Sequence, residues 1–193
     1  MIKGIIKTIL TVILVLILGI LYLSIFGLKT EKFNNQIKKS ISEVNSKINF
    51  QINDVNYLLN LKDLSINIST NNSKLSIDDR LIDIKNVKTN ISIKSFINNQ
   101  YSIDDLEIST AEIKIKDLLF FTREVHNSPQ LFILSKIIKD GSIEVDASIN
   151  FDTKGKIKND YQIKGSIKNA RLDLLNQSTF NDLNFLFNLN KNQ

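Results

Sequence analysis

Residues 8–28 read TILTVILVLILGILYLSIFGL and contain no charged residue. At about 1.5 Å rise per residue, a helix of this length spans roughly 31 Å, enough to cross the hydrocarbon core of a bilayer. Its polar residues are Thr8, Thr11 and Ser24, whose hydroxyls can bond back to the helix backbone. We therefore predict a transmembrane anchor over residues 1–29, including a short N-terminal tail.

The anchor differs from a cleaved signal peptide, which has a shorter apolar run followed by small residues at its cleavage site. Tyr22, Leu23, Ile25 and Phe26 occupy the positions where small residues would be needed. Lysines flank both ends of the apolar run, so the positive-inside rule does not decide its orientation. The short tail before the anchor and the long domain after it favour a cytoplasmic N terminus.

Composition excludes several classes of function. The chain of 193 residues carries 25 Lys and Arg against 20 Asp and Glu, for a net charge of +5. The lysines are scattered singly along predicted strands, whereas nucleic-acid-binding proteins concentrate basic residues in a stripe with aromatic partners. We therefore predict no nucleic-acid partner. The chain has no cysteine, which excludes disulfides and thiolate chemistry.

A short amphipathic helix is predicted directly after the anchor, over residues 30–46. Thr30 can cap it, and one face carries apolar residues at helical spacing. These residues are Phe33, Ile37, Ile41 and Val44. Two roles stay open for this membrane-proximal helix: it covers one end of the following sheet, or it lies on the bilayer surface.

From Ser46 onward the apolar residues recur with a period of two, which predicts strands over the domain of residues 47–193. Strict alternation gives each strand one apolar and one polar face, as in antiparallel sheets with one solvated side. Turns are predicted at Asn71–Asn72–Ser73, Asn98–Asn99, Asp140–Gly141 and Lys154–Gly155. The predicted fold class is mainly β, a curved antiparallel sheet with one or two short covering helices.

The alternation is interrupted near residues 118–140, where a helical insertion is predicted. Ser128 can cap a helix that Pro129 opens, and Gly141 can close it. The preceding apolar cluster, residues 118–121, either fills the core or meets lipid.

The residues that usually carry catalysis or metal binding are scarce. His126 is the only histidine, so the chain cannot supply several histidine ligands to a metal, and a Ser-His-Asp triad would have to use this one residue. The doublets Asp78–Asp79 and Asp104–Asp105 fit turns better than paired catalytic carboxylates, because adjacent strand residues point to opposite sides. We expect no enzyme activity, no metal and no cofactor.

Short strand motifs recur through the chain: ISIKSFI at residues 91–97, YSIDDLEI at 101–108, AEIKI at 111–115 and YQIKGSIKNARLDL at 161–174. Their order after a single N-terminal anchor and a short helix resembles the N-terminal region of the AsmA-like superfamily of bacterial envelope proteins. The resemblance covers most of the chain.

The resemblance implies a single-pass protein of the inner (cytoplasmic) membrane with its bulk in the periplasm. It also implies a strongly bent sheet whose apolar inner face carries phospholipid acyl chains and contributes to outer-membrane homeostasis. Expected partners are the membrane, phospholipid tails and other envelope proteins. The expected groove lining alternates along the predicted strands: Ile66, Ile68, Ile91, Ile93, Ile113, Ile115, Ile143, Val145 and Ile149.

A second interpretation of the same pattern stays open. A sheet with one apolar face must bury that face against something. If the sheet folds on itself into a closed sandwich, the protein is a non-catalytic anchored scaffold or assembly factor for envelope proteins.

Overall fold

The computed structural model describes residues 2–31, 34–52, 54–94, 103–152, 156–174 and 178–190. These residues form an apolar N-terminal helix, three further helices and one open, ten-stranded antiparallel sheet. The prediction of a mainly β fold built on an antiparallel sheet is confirmed.

The helices and strands are numbered in chain order. The helices are α1 (Ile2–Ile25), α2 (Asn34–Val44), α3 (Ile115–Val125) and α4 (Pro129–Ile137). The strands are β1 (Leu28–Thr30), β2 (Ile48–Gln51), β3 (Val55–Asn60), β4 (Ser65–Ile77), β5 (Arg80–Ser92), β6 (Ile103–Thr110), β7 (Ile113–Lys114), β8 (Ile138–Asn150), β9 (Gln162–Leu174) and β10 (Ser178–Asn190).

The strands pair almost entirely with their sequence neighbours, in the order β1-β3-β4-β5-β6-β8-β9-β10. The short strands β2 and β3 pair with successive parts of β4, and β6 and β7 do the same along β8. The sheet is therefore a meander of long strands, and α3 and α4 form the connection between β7 and β8.

Several strands contain a residue in the left-handed region near their middle: Asn72 (φ 53°), Gly141 (φ 123°), Asn169 (φ 51°) and Asp182 (φ 54°). Such residues interrupt the alternation of side chains and bend the strand. In β4 both Thr70 and Ser73 are buried although they are three positions apart, and their hydroxyl oxygens lie 3.2 Å apart.

Two of the predicted turns are therefore wrong. Asn71–Asn72–Ser73 lies inside β4 and Asp140–Gly141 inside β8, because Asn and Gly there serve a mid-strand bend rather than a chain reversal. The predicted turns at residues 98–99 and 154–155 lie outside the described residues.

The apolar helix α1 is long and apolar enough to span a membrane, and no other helix in the described ranges passes that test. The hydroxyls of Thr8, Thr11 and Ser24 donate to the carbonyls of Gly4, Lys7 and Ile20 at 3.1, 2.9 and 2.9 Å. These bonds satisfy the polar groups within the helix itself, as an apolar environment requires.

The predicted helix over residues 30–46 is shorter in the structure. Thr30 lies before the helix, in β1, because Leu28–Thr30 pairs with Val55–Tyr57 of β3. The helix α2 begins at Asn34, whose side chain is buried and donates from Nδ2 to the Ile52 carbonyl at 3.5 Å. At its other end, Asn45 Nδ2 donates to the Glu124 carbonyl of α3 at 3.0 Å.

The insertion predicted near 118–140 contains two helices rather than one. Ser128 Oγ accepts a hydrogen bond from Leu131 N at 3.3 Å, and Pro129 is the first residue of α4, as predicted. Gly141 does not close this helix, since α4 ends at Ile137 and β8 follows at once. The 118–121 cluster lies in α3 and packs into the core.

The N-terminal helix enters the sheet at one end, and α3 and α4 lie at the other. Because β1 is antiparallel to β3, with Leu28 opposite Tyr57, the chain enters from the end that holds the Leu61–Leu64 turn. We call this the anchor end. The opposite end, where α3 and α4 connect β7 to β8, is the helix end.

Candidate functional site

Helices cover the apolar face of the sheet at the helix end. α3 contacts β5, β7 and β8, α4 contacts β8 and β9, and α2 contacts β2. Arg80 at the start of β5 forms an ion pair with Asp117 of α3 at 2.9 Å, and its guanidinium lies 4.4 Å from the centre of the Phe120 ring. The buried core lies here and includes Ile77 (0% exposed), Ile82, Leu119 and Phe121.

Towards the anchor end the same apolar face continues with side chains that are only partly buried. Cross-strand pairing aligns them in two rows across the sheet. The first row is Leu59, Ile66, Ile91 and Ile103, and the second is Tyr57, Ile68, Thr89, Leu106 and Ile149. None of these nine described side chains is fully buried. We call the two rows the uncovered half of the apolar face.

The predicted lining residues separate into two groups in the structure. Ile66, Ile68, Ile91 and Ile149 lie in the uncovered half. Ile93 follows the end of β5, is partly buried, and donates from its backbone N to the Leu64 carbonyl at 2.9 Å.

The second group lies deeper in the molecule. Ile113, Ile115 and Ile143 belong to the buried core, and Val145 is partly buried against it. Ile115 is the first residue of α3 rather than a strand residue, because β7 ends at Lys114. The expectation that Ile113, Ile115 and Ile143 line an open groove is therefore corrected: each is at most 8% exposed and packs in the buried core.

Sequence reasoning missed five members of the uncovered half: Tyr57, Leu59, Thr89, Leu106 and Ile103. In β3 the extra apolar residue Leu58 obscures the alternation, since it makes Tyr57–Leu59 an unbroken apolar run. Ile103 and Leu106 lie on opposite sides of a bulge in the β5–β6 pairing, between Asn90 and Ile91, which shifts the register. Burial raises the pKa of the Tyr57 hydroxyl above its usual range.

The predicted apolar face of the membrane-proximal helix comprises Phe33, Ile37, Ile41 and Val44. Phe33 lies outside the described residues, and for Ile37, Ile41 and Val44 the structure describes the backbone alone. The helix α2 itself contacts β2 and is held at both ends by the hydrogen bonds of Asn34 and Asn45.

The polar face of the sheet carries a network of charges across β5, β8 and β9. Lys85 pairs with Glu144 at 2.9 Å, and Lys168 pairs with Glu112 at 3.1 Å and with Glu144 at 3.8 Å. Ser142 Oγ donates to Glu112 at 2.6 Å. This bond and the ammonium of Lys168 lower the pKa of Glu112, and the carboxylate of Glu112 raises the pKa of Lys168.

The aspartate doublets have different structures. Asp78 (φ 51°) and Asp79 form the tight turn between β4 and β5, as predicted. Asp104 and Asp105 lie inside β6 instead, and the Asp105 carboxylate accepts from the backbone N and Nδ2 of Asn90, both at 2.8 Å. Asp105 is therefore held in a cross-strand contact.

The described residues contain no group of three or more His, Cys, Asp or Glu side chains that could hold a metal ion. No family model, curated protein or solved structure matches this chain.

Proposed function

We propose that this chain is a membrane-anchored protein of the AsmA-like type that binds phospholipid acyl chains on the uncovered half of its sheet. In this proposal α1 crosses the inner membrane with a cytoplasmic N terminus, and the sheet lies in the periplasm. The protein contributes to phospholipid transport and outer-membrane homeostasis.

One observation carries the proposal: the apolar face is divided into a helix-covered core and an uncovered half at the anchor end. A domain that needed only stability would gain from covering both halves, since burial contributes about 25 cal/mol per Å² of apolar surface. Here Ile66 and Ile68 on β4 lie beside Ile91 on β5 without a covering helix in the described residues.

The dimensions of the uncovered half suit lipid tails. Its second row crosses five neighbouring strands from Tyr57 to Ile149, or about 19 Å at roughly 4.8 Å between strands. One leaflet contributes half of a hydrocarbon core that is about 30 Å thick. A surface of this length can therefore accommodate most of one acyl chain.

The chemistry of the surface suits such a ligand as well. Each buried methylene contributes about 0.8 kcal/mol and has no directional requirement, so a row of isoleucines binds tails of different length and saturation. The head group can remain in water beside the sheet. Movement along such a surface is passive, and its direction is set by an energy source outside this chain.

The proposal is tested by purifying the full chain in mild detergent and measuring co-purified phospholipid by mass spectrometry. We expect lipid in the wild-type sample and at least a fivefold loss in the Ile66→Asp and Ile149→Asp variants, because a carboxylate on the apolar face repels hydrocarbon. The matched control is Ser69→Asp, on the polar face of β4 opposite Lys88, which keeps its lipid.

Circular dichroism must show the same strand content in all three variants. Wild-type protein free of phospholipid, or equal lipid in the Ile66→Asp and Ser69→Asp variants, contradicts the proposal.

A different observation favours the second candidate, an anchored scaffold for another envelope protein. Among the described residues β10 pairs only with β9, so its outer edge offers backbone groups to a further strand. Phe185, Leu186 and Leu189 on β10 are 48%, 83% and 55% exposed. Lipid-free protein that crosslinks to an envelope protein through a photoreactive residue at position 186 would support this candidate over the first.

A further inference from the structure

The anchor end of the sheet carries four exposed apolar side chains, of which only Ile103 belongs to the proposed lipid-binding surface. They are Leu61 (44% exposed), Leu64 (61%), Ile103 (40%) and Ile157 (60%). We infer that this anchor-end row enters the interface of the same bilayer that α1 crosses, so that the sheet rests on the membrane. This inference depends on the proposed anchoring by α1.

The connection between helix and sheet is very short. α1 ends at Ile25 and β1 begins at Leu28, so only Phe26 and Gly27 separate them. Gly27 has φ +67°, and a Cβ there would lie 2.7 Å from the Tyr57 carbonyl oxygen and 2.9 Å from Asn56 Oδ1. The junction is therefore tightly packed, and two residues span at most about 7 Å. The sheet cannot lie far from the point where α1 leaves the bilayer.

The direction of the strands places the Leu61–Leu64 turn on the membrane side of this junction. Leu28 pairs with Tyr57, and β3 then continues towards the turn, opposite to the direction of β1. Leu61 lies four residues past Tyr57, or about 13 Å along the strand. Because α1 also contacts β3, the turn lies at the end of the sheet from which the helix enters. The aromatic pair Tyr22 and Phe26 lies at the C-terminal end of this helix.

The turn itself has a backbone that suits another residue better than leucine. Leu64 has φ +46°, a conformation that Asn or Gly adopts more easily. Asn60 holds the turn in place: its Oδ1 accepts from the backbone N of Lys62 and Asp63 at 3.0 and 3.2 Å. Leu64 is therefore strained in its backbone and exposed in its side chain. Insertion of this side chain into lipid would explain why a leucine occupies the position.

Charge at the same end agrees with a lipid head-group layer. Lys62 is exposed in the turn, and Lys156 and Lys158 flank Ile157. Lysines beside apolar side chains can extend to lipid phosphates while the apolar groups reach deeper. The carboxylate of Asp63 in the same turn is exposed and accepts a hydrogen bond from Asn60 Nδ2 at 2.8 Å.

The absence of tryptophan from the chain gives a direct test. Single variants Leu64→Trp, Leu61→Trp and Ile157→Trp are reconstituted at full length into phosphatidylcholine–phosphatidylglycerol vesicles, with or without bromine atoms on the upper part of the acyl chains. Phe26→Trp reports on the anchor. Leu81→Trp is the matched control, because Leu81 is 41% exposed beside the Asp78–Asp79 turn at the helix end.

We expect bromine to reduce emission at least twofold for Phe26→Trp and for the anchor-end variants, and to leave Leu81→Trp unchanged. Repeating the Leu64→Trp measurement in the Ile66→Asp background separates the two proposals. Quenching that persists there comes from the bilayer rather than from a lipid bound on the uncovered half.

Three outcomes overturn the inference. If Phe26→Trp is quenched and none of the folded anchor-end variants is, the sheet does not touch the bilayer, although the anchor stands. If Phe26→Trp is not quenched, anchoring by α1 fails and this inference fails with it. Loss of quenching in the Ile66→Asp background also overturns it, because the signal then came from bound lipid alone.

Discussion

At the scale of single residues, Glu112 shows how the polar face couples strands. Its pKa is lowered first by the hydrogen bond from Ser142 and then by Lys168. A lowered carboxyl pKa stabilises the fold above the unfolded value, about 4.3, and this stabilisation is lost as pH falls through the folded pKa. Lys168 behaves in the opposite sense. Its raised pKa stabilises the fold below about pH 10.4 and ceases to do so as pH rises through the folded value.

The Glu112→Gln variant should therefore show a flatter dependence of stability on pH at both extremes, because the variant lacks the carboxylate that the two pKa shifts share. The effect is small, since these side chains are exposed and solvent screens them. Thermal unfolding midpoints in mild detergent, measured from about pH 3 to about pH 11, check this. Glu107→Gln, an exposed position on β6, serves as the control. Identical acid and alkaline limbs in Glu112→Gln and wild type would refute the prediction.

At the scale of elements, the bends inside the long strands depend on residues that tolerate the left-handed region. Asn72 (φ 53°) lies in the middle of β4, where Thr70 and Ser73 are both buried. A β-branched residue there clashes with its own backbone, at a cost of about 1–2 kcal/mol. The bend, and with it the alignment of β4 across the covered and uncovered halves, therefore rests on this residue.

We expect Asn72→Val to lower the free energy of unfolding by about 1–2 kcal/mol and Asn72→Gly to leave it within about 0.5 kcal/mol of wild type. Chemical denaturation followed by circular dichroism measures both. Asn67→Val is the matched control, because Asn67 lies on the same strand with ordinary extended geometry and valine favours strands. An equal loss at positions 67 and 72 would show that the backbone angle is not the cause.

At the scale of the whole molecule, the proposed anchoring depends on α1, which is long and apolar enough to span a membrane. Its side chains are exposed along nearly the whole helix, including Leu14 (56%) and Leu18 (57%). An isolated apolar helix of this kind is unfavourable in water, and a bilayer removes that cost. In the proposed membrane-anchored state, the uncovered half lies near the membrane and the covered core lies far from it.

The Leu14→Arg, Leu18→Arg double variant should leave the membrane fraction after an alkaline carbonate wash, whereas wild type stays in it. Each arginine near the centre of a spanning helix costs about 2.5–3.5 kcal/mol of insertion free energy. The Leu14→Ala, Leu18→Ala double variant keeps the helix apolar and serves as the control. Retention of the arginine variant with the membranes would show that α1 is not the anchor.

The sequence by itself determined the elements whose signal is local. An uncharged run of about 20 residues can satisfy its backbone only as a helix, and two-residue alternation can only place one face of a strand against a core. The start of α4 could also be predicted, because the capping by Ser128 and the position of Pro129 depend only on neighbouring residues.

Only the tertiary structure decided which isoleucines are covered. Ile66 and Ile143 both lie on the apolar side of strands in which apolar and polar residues alternate. Ile66 nevertheless lies in the uncovered half, whereas Ile143 is buried in the core. Likewise, Asn72 has the local signature of a turn but lies in a bend, because β5 continues to pair with β4 on both sides of it. Coverage and pairing depend on contacts between residues distant in sequence, and a period of two contains no information about them.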